Sequence, residues 1–252
     1  MSGTASSVSV NAPYTISSIR DAQYTVTIDL YEWLCGEQIM DFMDKIKAIK
    51  EEDPWLKQIC SAYGAILEYK SESLFPEIDD TNKKKVLLIF GNPATHSVTK
   101  GMFFFSTGKG ERHTKWEKLE KAELIHEVRC GTLKEEAEAR KEMILNGILS
   151  DDYLFGLTTF YSFPTPVVGE FKDVAGLRRL FKPMRKQLED MECKRLNDYI
   201  VNYSFVKDAV WVFNEAKSHR CADKKLQKKF KYWPGRGKGS GGDDLKKILE
   251  DC

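Results

Sequence analysis

No stretch of this 252-residue chain approaches the roughly 20 consecutive apolar residues that a membrane-spanning helix requires. Its start, Met1 to Pro13, is rich in Ser and Thr and lacks the charged-then-apolar order of a secretory signal. A cytoplasmic protein with no membrane partner is therefore expected. The six cysteines (Cys35, Cys60, Cys130, Cys193, Cys221 and Cys252) include no C-x-x-C pair, a spacing poorly suited to zinc or an iron–sulfur cluster. Reduced thiols and no metal are the expectation. There is no G-x-G-x-x-G after a strand, no G-x-x-x-x-G-K-[ST] and no H-E-x-x-H, so nothing points to a bound cofactor. Net charge is equally scarce: 39 Lys and Arg against 38 Asp and Glu leave +1. That balance forbids an argument from total charge, although it leaves the distribution open.

What is present describes a globular chain, with 42% hydrophobic and 31% charged residues. Folding at this length removes roughly 70–75% of the unfolded surface from water, enough for a core without staples. Residues 1–20 are small, polar and aperiodic, and are expected to form a disordered tail ahead of one domain spanning 21–252. From Tyr31 to Leu67 apolar residues recur at threes and fours (Trp33, Ile39, Phe42, Met43, Ile46, Ile49), with a break at Asp53-Pro54. This predicts a helical N-terminal region over about residues 21–80.

Three short apolar runs follow: Val86 to Phe90, Tyr153 to Tyr161, and Ala209 to Phe213. Unbroken runs of this kind suit strands buried on both faces. Between them lie helical patterns at Lys115 to Glu127, Leu133 to Leu145 and Val174 to Tyr203. The alternation predicts an α/β fold, a three-layer sandwich whose central, mostly parallel, four-stranded sheet is flanked by helices. Ligands of such sheets bind at the carboxyl ends of the strands. The hidden charge is concentrated late, with nine Lys or Arg against one acid, Asp223, between Lys217 and Lys238. A Gly-rich loop with Tyr232 and Trp233 at its start then leads to a closing helix from Asp243.

The first strand exits into Gly91-Asn92-Pro93-Ala94-Thr95-His96. Gly91 permits a sharp turn, the Asn92 carbonyl can orient a water, and His96 can exchange a proton. The same residues also suit a plain Asn-Pro turn. Phe103, Phe104 and Phe105 follow, where a planar ligand can stack, and a Phe-rich run also suits a core strand.

In this order, with Arg112 to Leu119, Tyr153 to Thr159, Pro164 to Asp173 and the last apolar run, these segments resemble the uracil-DNA glycosylase superfamily, closest to its mismatch-specific uracil/thymine branch. The resemblance covers roughly residues 84–240. It implies that Asn92 positions the attacking water, that Pro93 holds the loop beside Gly91, and that one of Phe103, Phe104 or Phe105 stacks on an extruded base. Thr159 stands where the family commonly has an Asn that reads the pyrimidine edge, and a hydroxyl cannot reproduce the paired contacts of an amide. The family's His-Pro-Ser or Asn-Pro-Ser loop has only a faint counterpart in Pro234, Gly235, Arg236, Lys238 and Ser240.

The expected function is hydrolysis of the N-glycosidic bond of a flipped, damaged base in DNA repair, without metal or cofactor, by a monomer. His96 is the candidate donor to the departing base. Lys228, Lys229 and Lys231, with the Pro234 to Ser240 loop, are the expected DNA contacts. Two alternatives stand beside it: a catalytically silent nucleic-acid-binding protein of the same fold, and a hydrolase of small nucleotides or nucleosides.

Overall fold

The computed structural model describes residues 13–80 and 82–251, apart from the side chains of residues 217–219. Its strands are β1 (Tyr14–Ile16), β2 (Gln23–Asp29), β3 (Cys60–Tyr63), β4 (Ile66–Glu72), β5 (Lys84–Phe90), β6 (Tyr153–Thr159), β7 (Val210–Phe213) and β8 (Phe230–Tyr232). Its helices are α1 (Gly36–Glu52), α2 (Pro54–Ile59), α3 (Thr95–Lys100), α4 (Thr114–Lys121), α5 (Leu133–Leu145), α6 (Asp173–Leu180), α7 (Arg185–Asn202), α8 (Ser204–Asp208), α9 (Ala216–Ala222) and α10 (Gly242–Glu250). Among the described residues, no helix is long and apolar enough to cross a membrane.

The three apolar runs become β5, β6 and β7 of a four-stranded sheet in the order β6-β5-β7-β8, every neighbour parallel. Phe90 lies beside Thr159, Ile89 beside Phe213, and Phe213 beside Tyr232, so all four strands finish at one edge. Side chains alternate between two packed faces. Val86, Leu88, Phe155 and Val212 meet Leu119, Ile144 and Leu245 of α4, α5 and α10. Leu87, Ile89, Leu154 and Phe213 meet Leu177, Leu188 and Leu196 of α6 and α7. The molecule is an α/β fold in which helices flank a parallel sheet, consistent with a three-layer sandwich. The predicted helix from Val174 to Tyr203 is divided, because Pro183 supplies no N–H to continue it, and a 3₁₀ turn at Lys182–Met184 joins α6 to α7.

The N-terminal region corrects the expectation of a helical stretch over 21–80. Helices α1 and α2 do flank Asp53-Pro54, where Asp53 Oδ1 accepts the N–H groups of Trp55 and Leu56 at 2.9 and 3.3 Å. The remainder is an antiparallel sheet in the order β1-β2-β4-β3. Tyr24, Val26 and Ile28 are buried alternately along β2, as are Leu67, Tyr69 and Ser71 along β4. That is a period of two, and Gly64, at φ 57°, turns the β3–β4 hairpin. Of the expected tail, residues 1–12 lie outside the described residues. Tyr14–Ile16 instead pairs with Val26–Ile28 as an edge strand.

Beyond β4 the chain crosses to the central sheet, where Leu74 and Leu157 exchange two hydrogen bonds of 2.8 Å. At the other end of the chain, α10 closes onto α4 at very short range. A Cβ on Gly242 would lie 2.0 Å from the Lys118 carbonyl oxygen and 2.6 Å from Ala122 Cβ. Gly242→Ala is therefore expected to destabilise the protein by about 1–3 kcal/mol through overpacking. Denaturant unfolding of both proteins, read as a shift in midpoint at constant slope, checks this.

Candidate functional site

Pairing between the first two central strands continues past their ends. The N–H groups of Phe160 and Tyr161 donate to the carbonyls of Phe90 and Gly91 at 2.7 and 2.9 Å. Thr165 N–H then donates to the Pro93 carbonyl at 3.0 Å, and Thr95 N–H to the Thr165 carbonyl at 3.1 Å. These bonds wall a cleft of about 570 Å³ at the carboxyl edge of the sheet. Its size lies within the range of small-ligand sites. Asn92, Pro93, His96, Phe103, Phe104, Thr159 and Arg236 line it, while Gly91 and Phe105 do not.

Asn92 Nδ2 donates to the Pro93 carbonyl at 3.1 Å and to Thr165 Oγ1 at 2.7 Å. The carbonyl only accepts, which assigns the amide nitrogen to that side and leaves Oδ1 as a free acceptor at the cleft. Of the three phenylalanines, Phe103 is core. Phe104 is half-buried at the cleft, edge-on to Phe90 with ring centroids 4.6 Å apart. Its backbone has φ 50°, a costly value for a bulky side chain, and its carbonyl accepts from Trp116 Nε1 at 3.1 Å.

His96 Nε2 lies 3.0 Å from the Ser106 carbonyl. A carbonyl cannot donate, so that nitrogen carries the hydrogen, and the buried Nδ1 has no partner. A second histidine, unremarked in the sequence, enters from the start of α4. His113 Nδ1 accepts the Lys115 N–H at 3.2 Å, capping the helix and leaving Nε2 as the donor. Its ring lies 4.6 Å from that of Phe104. Burial, with Lys115 and His96 close by, pushes His113 down to about 4. Lys115 itself lies 4.6 Å over the Trp233 ring and donates to Asn214 Oδ1. Burial, then Lys118 and Arg236, pushes it down to about 8 against the pull of Glu215.

Comparison with protein-family models and with curated proteins found no match to this chain.

The basic segment is divided by the fold. Arg236 is exposed at the cleft, and so is Lys172, from the 160–172 loop. Lys228 and Lys229 precede β8 and so sit at the amino edge of the sheet, the far end from the cleft. There Lys228 Nζ donates to the Lys207 carbonyl. Lys231 is exposed on β8, and Lys238 on the loop beyond Arg236. Gly235 approaches Asn214 so closely that a Cβ would meet its carbonyl oxygen at 2.7 Å. Pro234 packs beside Gly239. Ser240, expected to face DNA, is buried, and its carbonyl accepts Lys118 Nζ at 3.0 Å.

Sequence reasoning also missed Glu72. It ends β4, is 1% exposed, lines the cleft, and its Oε2 has no hydrogen-bond partner among the described residues. Burial pushes its carboxyl up to about 8. In the unfolded chain this group ionises near 4.5, so the stability it contributes is complete below that pH and is lost as pH rises through about 8. His113, with its lowered value, acts only below about 6.5, and Lys115 only above about 8. Between pH 6.5 and 8, unfolding free energy should therefore fall by about 2 kcal/mol in the native protein and stay flat in Glu72→Gln. Urea titrations at four pH values across that window check it.

Proposed function

We propose that this protein hydrolyses the N-glycosidic bond of a base extruded from DNA into the cleft beneath Phe104. The observation that carries the reading is Asn92, whose two amide hydrogens are spent on its own loops while Oδ1 remains to accept from a water. Hydrolysis needs the base out of the stack, a positioned water, and stabilisation of the departing base. In a dissociative reaction the C1′–N bond breaks with its electron pair leaving on the base. The water oxygen then bonds to C1′, and its proton passes to the base or to solvent. An amide suffices to hold that water, since positive charge has already developed on the sugar. Phe104 offers a stacking surface.

His96 was the expected donor to the base, but its hydrogen is engaged by Ser106. His113, with Nε2–H still available in the same cleft, takes that role in this proposal. Lys172 and Arg236, both exposed at the cleft, suit the phosphates flanking the extruded nucleotide. The remote position of Lys228 and Lys229 favours a second reading, hydrolysis of a free nucleoside or nucleotide in the same cleft. Base release from an oligonucleotide and from the matching nucleoside, compared at equal concentration, separates the two.

Asn92→Ala is expected to slow single-turnover base release by roughly 100-fold or more while DNA binding persists. Thr165→Val removes a loop bond and leaves Oδ1, so an equal loss there would reduce Asn92 to a loop brace. Lys172→Gln with Arg236→Gln should weaken binding to all DNA sequences alike and lower the salt slope of the affinity by about 1–2. Fluorescence anisotropy at three salt concentrations measures it, and an unchanged slope places the phosphates elsewhere.

A further inference from the structure

The antiparallel register that joins the two sheets brings Glu72 to the end of β6. Leu74 pairs with Leu157, and Ser73 Oγ meets Thr158 Oγ1 at 2.7 Å. Glu72 and Thr159 are the next residues beyond that contact on the two segments. Both are 1% exposed, both line the cleft, and both carry a side-chain oxygen, Oε2 and Oγ1, with no hydrogen-bond partner among the described residues. Buried polar atoms are nearly always paired, and two such exceptions on residues lining one cleft point to a ligand that completes them.

We infer that Glu72 reads the hydrogen-bonding edge of the base, supplying with Thr159 the paired donor and acceptor that Thr159 alone cannot. The inference rests on the reading of this cleft as a base site. Glu72 comes from the N-terminal sheet, outside the span that carries the glycosylase resemblance. An uncharged carboxyl presents one O–H donor and one carbonyl acceptor side by side. That pair matches the adjacent N–H and C=O shared by uracil, thymine and hypoxanthine: the carboxyl oxygen accepts the ring N–H while the O–H donates to the ring carbonyl. Charge matters as much as geometry. A base leaving with the glycosidic electron pair becomes negative, which a neutral carboxyl tolerates and a carboxylate repels. Burial keeps the proton on Glu72 at neutral pH. The other titratable groups bordering the cleft are His96, His113, Lys172, Asp173 and Arg236, and behind β4 and β6 stand Tyr24, Tyr199, Glu192 and Arg195.

The test uses two probes with the full-length chain. Uracil and 3-methyluracil, which lacks the ring N–H, are titrated into native protein, Glu72→Leu and Glu72→Gln by calorimetry. Native protein is expected to prefer uracil by about 10–100-fold, the scale of one buried polar pairing, and Glu72→Leu to lose that preference. In single-turnover release from a uracil oligonucleotide, the native rate should fall as pH rises through 8, whereas Glu72→Gln removes that fall. Neither substitution should lower Tm, because leucine and glutamine each replace a carboxyl that has no partner. Equal affinity of the native protein for the two bases, or a preference retained by Glu72→Leu, overturns the inference. Selective binding of uracil by a native protein that releases no base leaves Glu72 as the reader and overturns the hydrolytic reading instead.

Discussion

The buried ion pair between Glu192 and Arg195 on α7 holds the cleft in place. Arg195 Nε donates to Glu192 Oε2 at 2.7 Å, and three of the other four guanidinium hydrogens go to the carbonyls of Thr159 and Phe160 and to the Tyr199 hydroxyl. Glu192 Oε1 accepts the N–H of Ser162 at 2.6 Å, and the Ser162 hydroxyl also bonds to it. One pair thereby satisfies the carbonyls of Thr159 and Phe160 and the N–H of Ser162, just where β6 ends. Two charges this deep are costly unless each is fully hydrogen-bonded, and here they nearly are. The consequence is positional: Thr159 is fixed in the wall of the cleft that Glu72 also lines, and the 160–166 loop is fixed against the loop of Asn92.

Electrostatics divide the cleft by depth. At the floor, Glu72, Thr159 and His96 present polar atoms without charged partners, and desolvation keeps the Glu72 carboxyl and the His113 ring uncharged near neutral pH. At the rim, Lys172 and Arg236 keep their heads in water. The substrate proposed for this site, a planar neutral base on a phosphate backbone, would place its base at the floor and its phosphates at the rim. Low local dielectric strengthens every hydrogen bond made at the floor and penalises every one left unmade.

The second sheet explains why a parallel core of only four strands suffices. Its outer strand β6 would be an open edge, and Leu74 covers it by pairing with Leu157. The crossing that protects the edge also buries Glu72. A device for closing the sheet has thus delivered a polar group to the base of the cleft.

Much of the fold was legible because burial on both faces writes itself as an unbroken apolar run. The runs Val86 to Phe90, Tyr153 to Tyr161 and Ala209 to Phe213 were visible in this way, and the break at Asp53-Pro54 marked the junction of α1 and α2. The alternation of Tyr24, Val26 and Ile28 was equally present, but a period of two over a few residues is a weaker signal than the helical period of α1 beside it. Asn92 could be picked out as a residue with suitable chemistry at the end of a strand, and Phe104 only as one of three consecutive phenylalanines, because sequence does not say which ring is core. Glu72 could not, since a glutamate closing an alternating strand belongs by sequence on the solvent side, and only the Leu74–Leu157 bridge encloses it. His113 looked like an ordinary helix start, and the density of lysines before β8 did not say at which edge of the sheet they stand. The sequence by itself determined which segments must be buried, because hydrophobic pattern is local; which polar groups share the cleft was decided by tertiary structure, because register and strand order join residues far apart in the chain.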